Sequence, residues 1–203
     1  MYIQDKKELA NFFTEDYFNS INYIGYAGRE EKYRKTAIDI VAEIGIPAET
    51  IRVLDYGCGI GLLIKGLMAL NCEKVVGYDI SEWAVKTARK AELPVTKEMF
   101  FVGEQYDLVT MLDVLEHMFD EDIEALFARI STKRIFVRIP VKEEGDNDFF
   151  LDCSKADKSH VNCKTKDEWI TYIEKLGYAF TGCINAETIY DAKGCFCGKF
   201  NRR

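Results

Sequence analysis

Three carboxylates and a run of glycines carry the first chemical signal in this chain. Residues 53–63 read VLDYGCGIGLL. An apolar run ends in Asp55, then Gly57, Gly59 and Gly61 alternate with Cys58 and Ile60 before an apolar stretch resumes. Glycine spaced this way permits close backbone approach to a ligand, or φ > 0, where a side chain would collide. The pattern is G-x-G-x-G and not the dinucleotide form G-x-G-x-x-G, because Leu62 stands where the third glycine would fall. A second acid, Asp79, ends VVGYDIS. At the carboxyl end of a strand such an acid can accept hydrogen bonds from both hydroxyls of a ribose; its plainer role is to start a helix beside Ser81. A third, Asp113, ends YDLVTMLDV and is followed by Glu116 and His117. Asp55, Asp79 and Asp113 on neighbouring strand ends outline a cleft for a nucleoside with a charged tail.

Histidine is the side chain best suited to moving a proton near neutral pH. The chain has two, His117 and His160, and both are candidate catalytic residues; the plainer reading of His117 is a structural partner beside Glu116. Asp113, Glu116 and His117 could also converge on a divalent ion. The preferred reading has no metal, with Glu116 capping backbone amides and His117 lining the pocket. A site built from Cys153, His160, Cys163, Cys195 and Cys197 lacks any C-x-x-C spacing. The acidic run at 142–152, with Asp146, Asp148 and Asp152, reads as a solvated face.

The elements that must position these residues alternate. Residues 7–44 read as helix in two or three pieces, broken near Gly25 and Gly28. Strands then fall near 50–57, 74–80, 106–114, 134–141, 179–187 and 194–200. Helices fall near 62–71, 81–92, 120–131 and 165–177. Ser81 is placed as an N-cap, Thr165 and Glu168 as a capping box, and Gly177 as a stop. Strands alternating with helices imply a doubly wound, mostly parallel α/β sheet covered on both faces. The last two strands have no helix between them and should pair antiparallel. The expected organisation is one domain over 1–203: a helical cap (1–36), a ligand-binding core (37–140), an acceptor-side loop (141–164), and a final helix with strands (165–203). Ligands in such sheets bind at the carboxyl ends of the strands.

With 203 residues, 48% hydrophobic and 30% charged, the chain has the make-up of a globular protein with a real core. No stretch reaches the ~20 apolar residues of a membrane helix, and no apolar run follows a basic start, so the expectation is a cytoplasmic protein with no membrane partner. Seven scattered cysteines fit reduced thiols. A net charge of −7 weighs against nucleic acid as partner. No feature sets the oligomeric state.

VLDYGCGIG, VVGYDIS and YDLVTMLDVLEHM resemble the first, second and fourth motifs of the class I S-adenosylmethionine-dependent methyltransferases. The form is that of small-molecule enzymes related to the ubiquinone-biosynthesis O-methyltransferases. Strand five ending in Pro140 and His160 ahead of a capped helix strengthen the likeness, which covers roughly residues 35 to 180. The resemblance implies a Rossmann-like fold, S-adenosylmethionine as cofactor and S-adenosylhomocysteine as product. It implies that Asp55, Gly57 and Gly59 hold the methionyl part, with Cys58 and Gly61 also among the cofactor-binding residues, that Asp79 takes the ribose, and that Ile80 lies on the adenine. It also implies that Asp113 or the Leu112 backbone sits near the sulfonium. The family often has an adenine-binding acid after strand three; here that region is shortened to LPVTKEMFFVGEQYD, leaving Glu98 or Met99 for the role. Some members are thought to use a metal near the fourth motif.

Methyl transfer needs alignment and shielding from water more than covalent chemistry. Six aromatics lie between residues 12 and 26. Phe12, Phe13 and Phe18 are expected to pack, and one or more of the lid candidates Tyr17, Tyr23 and Tyr26 to face the pocket, with Arg29 or Arg34 meeting the cofactor carboxylate. The function expected is methylation of a small-molecule acceptor at oxygen or nitrogen. Methylation of a protein or other macromolecule is the runner-up. A catalytically idle S-adenosylmethionine-binding regulatory subunit and an NAD-dependent oxidoreductase are further alternatives; the missing third glycine argues against the last.

Overall fold

The computed structural model describes residues 2–20, 23–99 and 103–203. Strands β1 (Arg52–Tyr56), β2 (Lys74–Tyr78), β3 (Val95–Thr96), β4 (Gln105–Leu112) and β5 (Ser131–Pro140) pair in parallel. The last two, β6 (Tyr178–Cys183) and β7 (Cys195–Arg202), pair antiparallel as expected, and β7 inserts beside β5. The sheet order is β3-β2-β1-β4-β5-β7-β6.

Side chains alternate across this sheet with period two, and both faces are buried. Val53, Val75, Leu108 and Phe136 face one layer, built from α3 (Glu30–Ile44), α4 (Leu62–Ala69) and α5 (Glu82–Lys90). Their neighbours Leu54, Val109, Ile135 and Val137 face the other, where α6 (Asp120–Phe127) and α8 (Lys166–Lys175) bring Ile123, Leu126, Trp169 and Ile173. Along the chain, the short α7 (Asp152–Ala156) falls between β5 and α8. Ser81 accepts from the Ala84 amide, and Thr165 with Glu168 forms the reciprocal box read from the sequence.

One boundary moves. The expected cap edge at residue 36 cuts through α3, which runs unbroken to Gly45 at φ 71°. Helix α3 packs so closely on α4 that a Cβ at Gly66 would lie 2.9 Å from that of Ala37. It therefore belongs to the core layer. The cap is α1 (Lys6–Phe12), α2 (Glu15–Phe18) and the turn at Tyr26–Gly28. Among the described residues no helix is long and apolar enough to cross a membrane.

Candidate active site

Parallel register brings the chemistry together. Asp55 pairs with Gly77 on one side and Thr110 on the other, and Leu112 pairs with Arg138. The segments leaving β1, β2 and β4 therefore start side by side. The Gly57 and Cys58 amides both donate to the Tyr78 carbonyl, at 2.7 and 3.0 Å, fixing the glycine loop to the next strand. A Cβ on Gly57 (φ +77°) would come 2.4 Å from Val114 Cγ2, and one on Gly59 (φ +55°) 2.6 Å from the Tyr26 hydroxyl. Gly61 lies outside the cavity wall and starts α4 at φ +81°, so its part is the turn.

A cavity of about 490 Å³ opens over these ends, within the range of small-ligand sites. Asp55, Asp79 and Asp113 line it, as do Gly57, Cys58 and Gly59; Ile80, Met99 and Leu112 add apolar wall. Burial raises the Asp55 carboxyl to about 7, against the opposing hydrogen bond from the Thr110 hydroxyl at 2.7 Å. Asp79 is also raised by burial, offset by the Ser81 and Gly59 amides that donate to its two oxygens at 2.8 and 2.7 Å. Burial would raise Asp113 too, but the charge and hydrogen bonds of Arg138 bring it below the ordinary range. Asp113 holds φ +57°, in the left-handed region.

The cap closes the cavity from above. Tyr17, Tyr23 and Tyr26 all line it. So do Phe13 and Phe18, which were expected only to pack; Phe12 alone of the three phenylalanines stays out of the wall. Three expectations are corrected. Arg34 points to solvent and pairs with Glu31, at the surface turn of α3. Arg29 donates to the Ile24 carbonyl and does not reach the wall. Glu98 is exposed and turned away by a tight bend in which its amide donates to Thr96, leaving Met99 at the pocket. The cations that do line the wall are Lys6 and Arg129, which no motif marks.

His117 lines the cavity, with its Nδ1 3.0 Å from the Ser159 hydroxyl and 3.2 Å from the Ser159 carbonyl. Burial lowers its pKa to about 4, helped by the neighbouring His160. His160 stands behind it, outside the wall, with ring centroids 4.6 Å apart. It is 7% exposed, packs on Phe149 and faces Asp157 at 3.7 Å. Of the two histidines, then, His117 lines the cavity and His160 packs behind it.

Glu116 departs from its expected role. It is fully buried, and among the described residues neither carboxylate oxygen has a hydrogen-bond partner, so the expected capping of backbone amides is not seen there. Burial, then the Asp113 charge, push its carboxyl well above the ordinary range. One ligand atom each from Glu116, His117 and His160 lie within 4.8 Å of one another. Asp113 is engaged by Arg138 instead. Two imidazoles and one unbonded buried carboxylate fit a divalent transition ion. Aspartates 146 and 152 are exposed, as a solvated face requires, but Asp148 accepts from the Tyr2 hydroxyl and ties residue 2 to the 141–164 segment. Asp157, Ser159 and Arg138 were not read from the sequence: each acts on a partner 25 or more positions away.

A doubly wound sheet whose strand-end acids and glycine loop wall one aromatic-capped cavity defines a nucleoside-binding α/β domain. The chain belongs to the methyltransferase domain family, which matches residues 29–137, more than half its length. With β7 inserted between β5 and β6, its fold is that of the class I S-adenosylmethionine-dependent methyltransferases. It is 36% identical over 87 residues to the ubiquinone biosynthesis O-methyltransferase of Mesorhizobium japonicum, covering 38% of this chain and 34% of that one. It is 24% identical over 135 residues to the ribosomal protein L11 methyltransferase of Ruminiclostridium cellulolyticum, covering 61% of this chain and 42% of that one. The matched stretches thus span well under half of these relatives. Magnesium protoporphyrin IX methyltransferase from Synechocystis PCC 6803, solved with bound SAH, shares the fold at a TM-score of 0.67 and 20% identity, covering 98% of this chain and 100% of that one.

Proposed function

We propose that this chain transfers the methyl group of S-adenosylmethionine to an oxygen or nitrogen of a small-molecule acceptor, releasing S-adenosylhomocysteine. The observation that carries the reading is the convergence of Asp55, Asp79 and Asp113 with the glycine loop on one cavity. Asp79 keeps lone pairs for the two ribose hydroxyls, while Ile80 and Met99 flank the adenine. Asp55 takes the methionyl ammonium, and the glycine loop, whose Gly57, Cys58 and Gly59 amides are engaged by Tyr78 and Asp79, gives the methionyl part room to pass close to the backbone. Asp113 and Leu112 then stand at the sulfonium end, with His117 on the acceptor side.

The nucleophile must approach opposite the leaving sulfur, so alignment and exclusion of water do most of the work. Phe13, Phe18 and the three cap tyrosines supply the apolar cover. A hydroxyl acceptor must also lose its proton. His117 is neutral at pH 7 because burial holds its pKa near 4, so its free ring nitrogen is ready to accept a hydrogen bond. A divalent ion held by Glu116, His117 and His160 would supply Lewis acidity that makes an acceptor hydroxyl easier to deprotonate. The covered cavity favours a small acceptor over a protein, and the net charge disfavours a nucleic acid.

Thermal unfolding with S-adenosylmethionine, S-adenosylhomocysteine, NAD or no ligand tests the reading. A ligand at a hundred times its Kd adds about 2.7 kcal/mol, which should raise the Tm by roughly 5 to 10 °C in a domain of this size. The rise is expected with the adenosyl ligands and is lost in Asp79→Ala. A rise with NAD alone, or none, overturns the assignment. Retained binding without transfer to any acceptor would instead mark a regulatory subunit.

A further inference from the structure

His117 meets an unusual pair of neighbours at Nδ1. The Ser159 carbonyl, at 3.2 Å, can only accept a hydrogen bond. The Ser159 hydroxyl, at 3.0 Å, could in principle donate or accept. Its single proton, however, goes to Asp157: the hydroxyl donates to Oδ1, and the Ser159 amide donates to the same oxygen at 2.9 Å. Toward the imidazole the hydroxyl offers lone pairs alone. An unprotonated Nδ1 would therefore face two acceptors in a buried site, a costly arrangement. A neutral imidazole carries one proton, and here both neighbours call for it on Nδ1.

We propose that Asp157 and Ser159 are positioning residues for methyl transfer: by taking the Ser159 hydroxyl proton, Asp157 forces the His117 proton onto Nδ1 and makes Nε2 the atom through which His117 works. Nε2 lies on the side of Glu116, 3.9 Å from its Oε1. Whether that lone pair meets an acceptor proton or an ion, it is available only in this tautomer, whereas free imidazole side chains favour the proton on Nε2. The other Asp157 oxygen accepts from the Tyr17 hydroxyl at 3.2 Å. The carboxylate that sets the tautomer thus also holds α2 of the cap, so closure of the cap and readiness of His117 share one anchor. The inference rests on His117 taking part in the reaction proposed above.

The test uses the full chain, labelled with ¹⁵N and kept in chelator at pH 7. With only two histidines, a long-range ¹H–¹⁵N spectrum contains four ring nitrogens, and His160→Gln assigns them. The expected wild-type spectrum shows a protonated, pyrrole-like Nδ1 and a pyridine-like Nε2 for His117. Asp157→Ala frees the Ser159 hydroxyl to donate and should lose this single-tautomer pattern; Asp157→Asn, which keeps an acceptor oxygen, should retain it. A wild-type His117 protonated on Nε2 overturns the proposal before any variant is made. Loss in both Asp157 variants, or in neither, also overturns it. The Tm response to S-adenosylhomocysteine, read on the same samples, separates the two ideas: its absence sinks the cofactor reading and leaves the tautomer result standing.

Discussion

Arg138 grips Asp113 across the β4–β5 edge. Its Nε donates to both carboxylate oxygens, at 2.9 and 3.0 Å, its Nη2 bonds Oδ2, and the Asp113 amide donates to the Arg138 carbonyl at 2.7 Å. This pairing holds a non-glycine residue at φ +57° at the mouth of the cavity and keeps it from joining Glu116 and His117. Breaking a buried pair by removing one partner costs roughly 3–5 kcal/mol, but the Asp113 side chain is 39% exposed. Arg138→Met should therefore cost about 1–3 kcal/mol. The double variant Arg138→Met/Asp113→Asn should recover part of it. Urea unfolding of wild type, Arg138→Met, Asp113→Asn and the double variant checks this, and additive losses would show that the pair is not coupled.

Gly59 and Tyr26 make a steric prediction. A Cβ at Gly59 would lie 2.6 Å from the Tyr26 hydroxyl but 3.4 Å from its Cζ. Gly59→Ala should lose about 2–5 kcal/mol, combining left-handed strain of ~1–2 kcal/mol with overpacking of ~1–3 kcal/mol. Tyr26→Phe removes the clashing oxygen, so Gly59→Ala/Tyr26→Phe should be more stable than Gly59→Ala alone. Gly57→Ala has no such remedy in the cap, because its Cβ would strike the branched Val114 side chain. Melting temperatures of the set give the answer directly; a double variant no better than Gly59→Ala would remove Tyr26 as the obstacle.

How far the sequence speaks depends on the range of the contact. The glycine loop, Asp55, Asp79 and Asp113 are legible because each is set by its own strand end, and parallel order follows from alternation. The Ser81 cap and the Thr165–Glu168 box are local in the same way. Arg29 and Arg34 misled because a helix start places them near the pocket without saying which face they take; the nearby Glu31 holds Arg34 outside. Glu98 misled because the bend at Thr96 turns it to solvent. Glu116 next to His117 resembles a capping acid until its burial is known. The Ser159–His117 contact joins residues 42 apart, and nothing in either segment announces the other.

Asp55 should make both stability and cofactor affinity depend on pH. Its carboxyl stands at about 7 in the folded chain against 3.8 ordinarily, because burial disfavours the charge. Such a group stays protonated in the folded state while the unfolded chain ionises. The folded state is therefore penalised as pH rises above about 4, fully so above about 7, by on the order of 4 kcal/mol. Asp55→Asn, which can still accept from Thr110, should be more stable than wild type at pH 8, with the gap shrinking toward pH 5. An ammonium arriving beside Asp55 favours the charged form. S-adenosylhomocysteine binding near pH 6.5 should then release protons, and its affinity should rise from pH 6 to 8. Calorimetry in buffers of different ionisation enthalpy reads the proton count; proton uptake would contradict the placement of the ammonium.

Glu116 yields the last prediction. A carboxylate buried without a hydrogen bond costs several kcal/mol unless it is neutral or bound to a cation. In chelator it should be protonated, so Glu116→Gln, which swaps one neutral group for another of similar shape, should change the Tm little. With Mn²⁺, Co²⁺ or Zn²⁺ added, wild type should gain stability as ligation by Glu116, His117 and His160 offsets the burial. Glu116→Gln should gain little, and His117→Gln likewise. Co²⁺ adds an optical readout, since its absorption reports nitrogen and oxygen ligation independently of stability. All three proteins should keep the Tm rise with S-adenosylhomocysteine, because none of the altered groups is placed on that ligand. A metal response equal in wild type and Glu116→Gln would mean that the ion binds elsewhere, and Glu116 would then be a neutral acid packed beside His117.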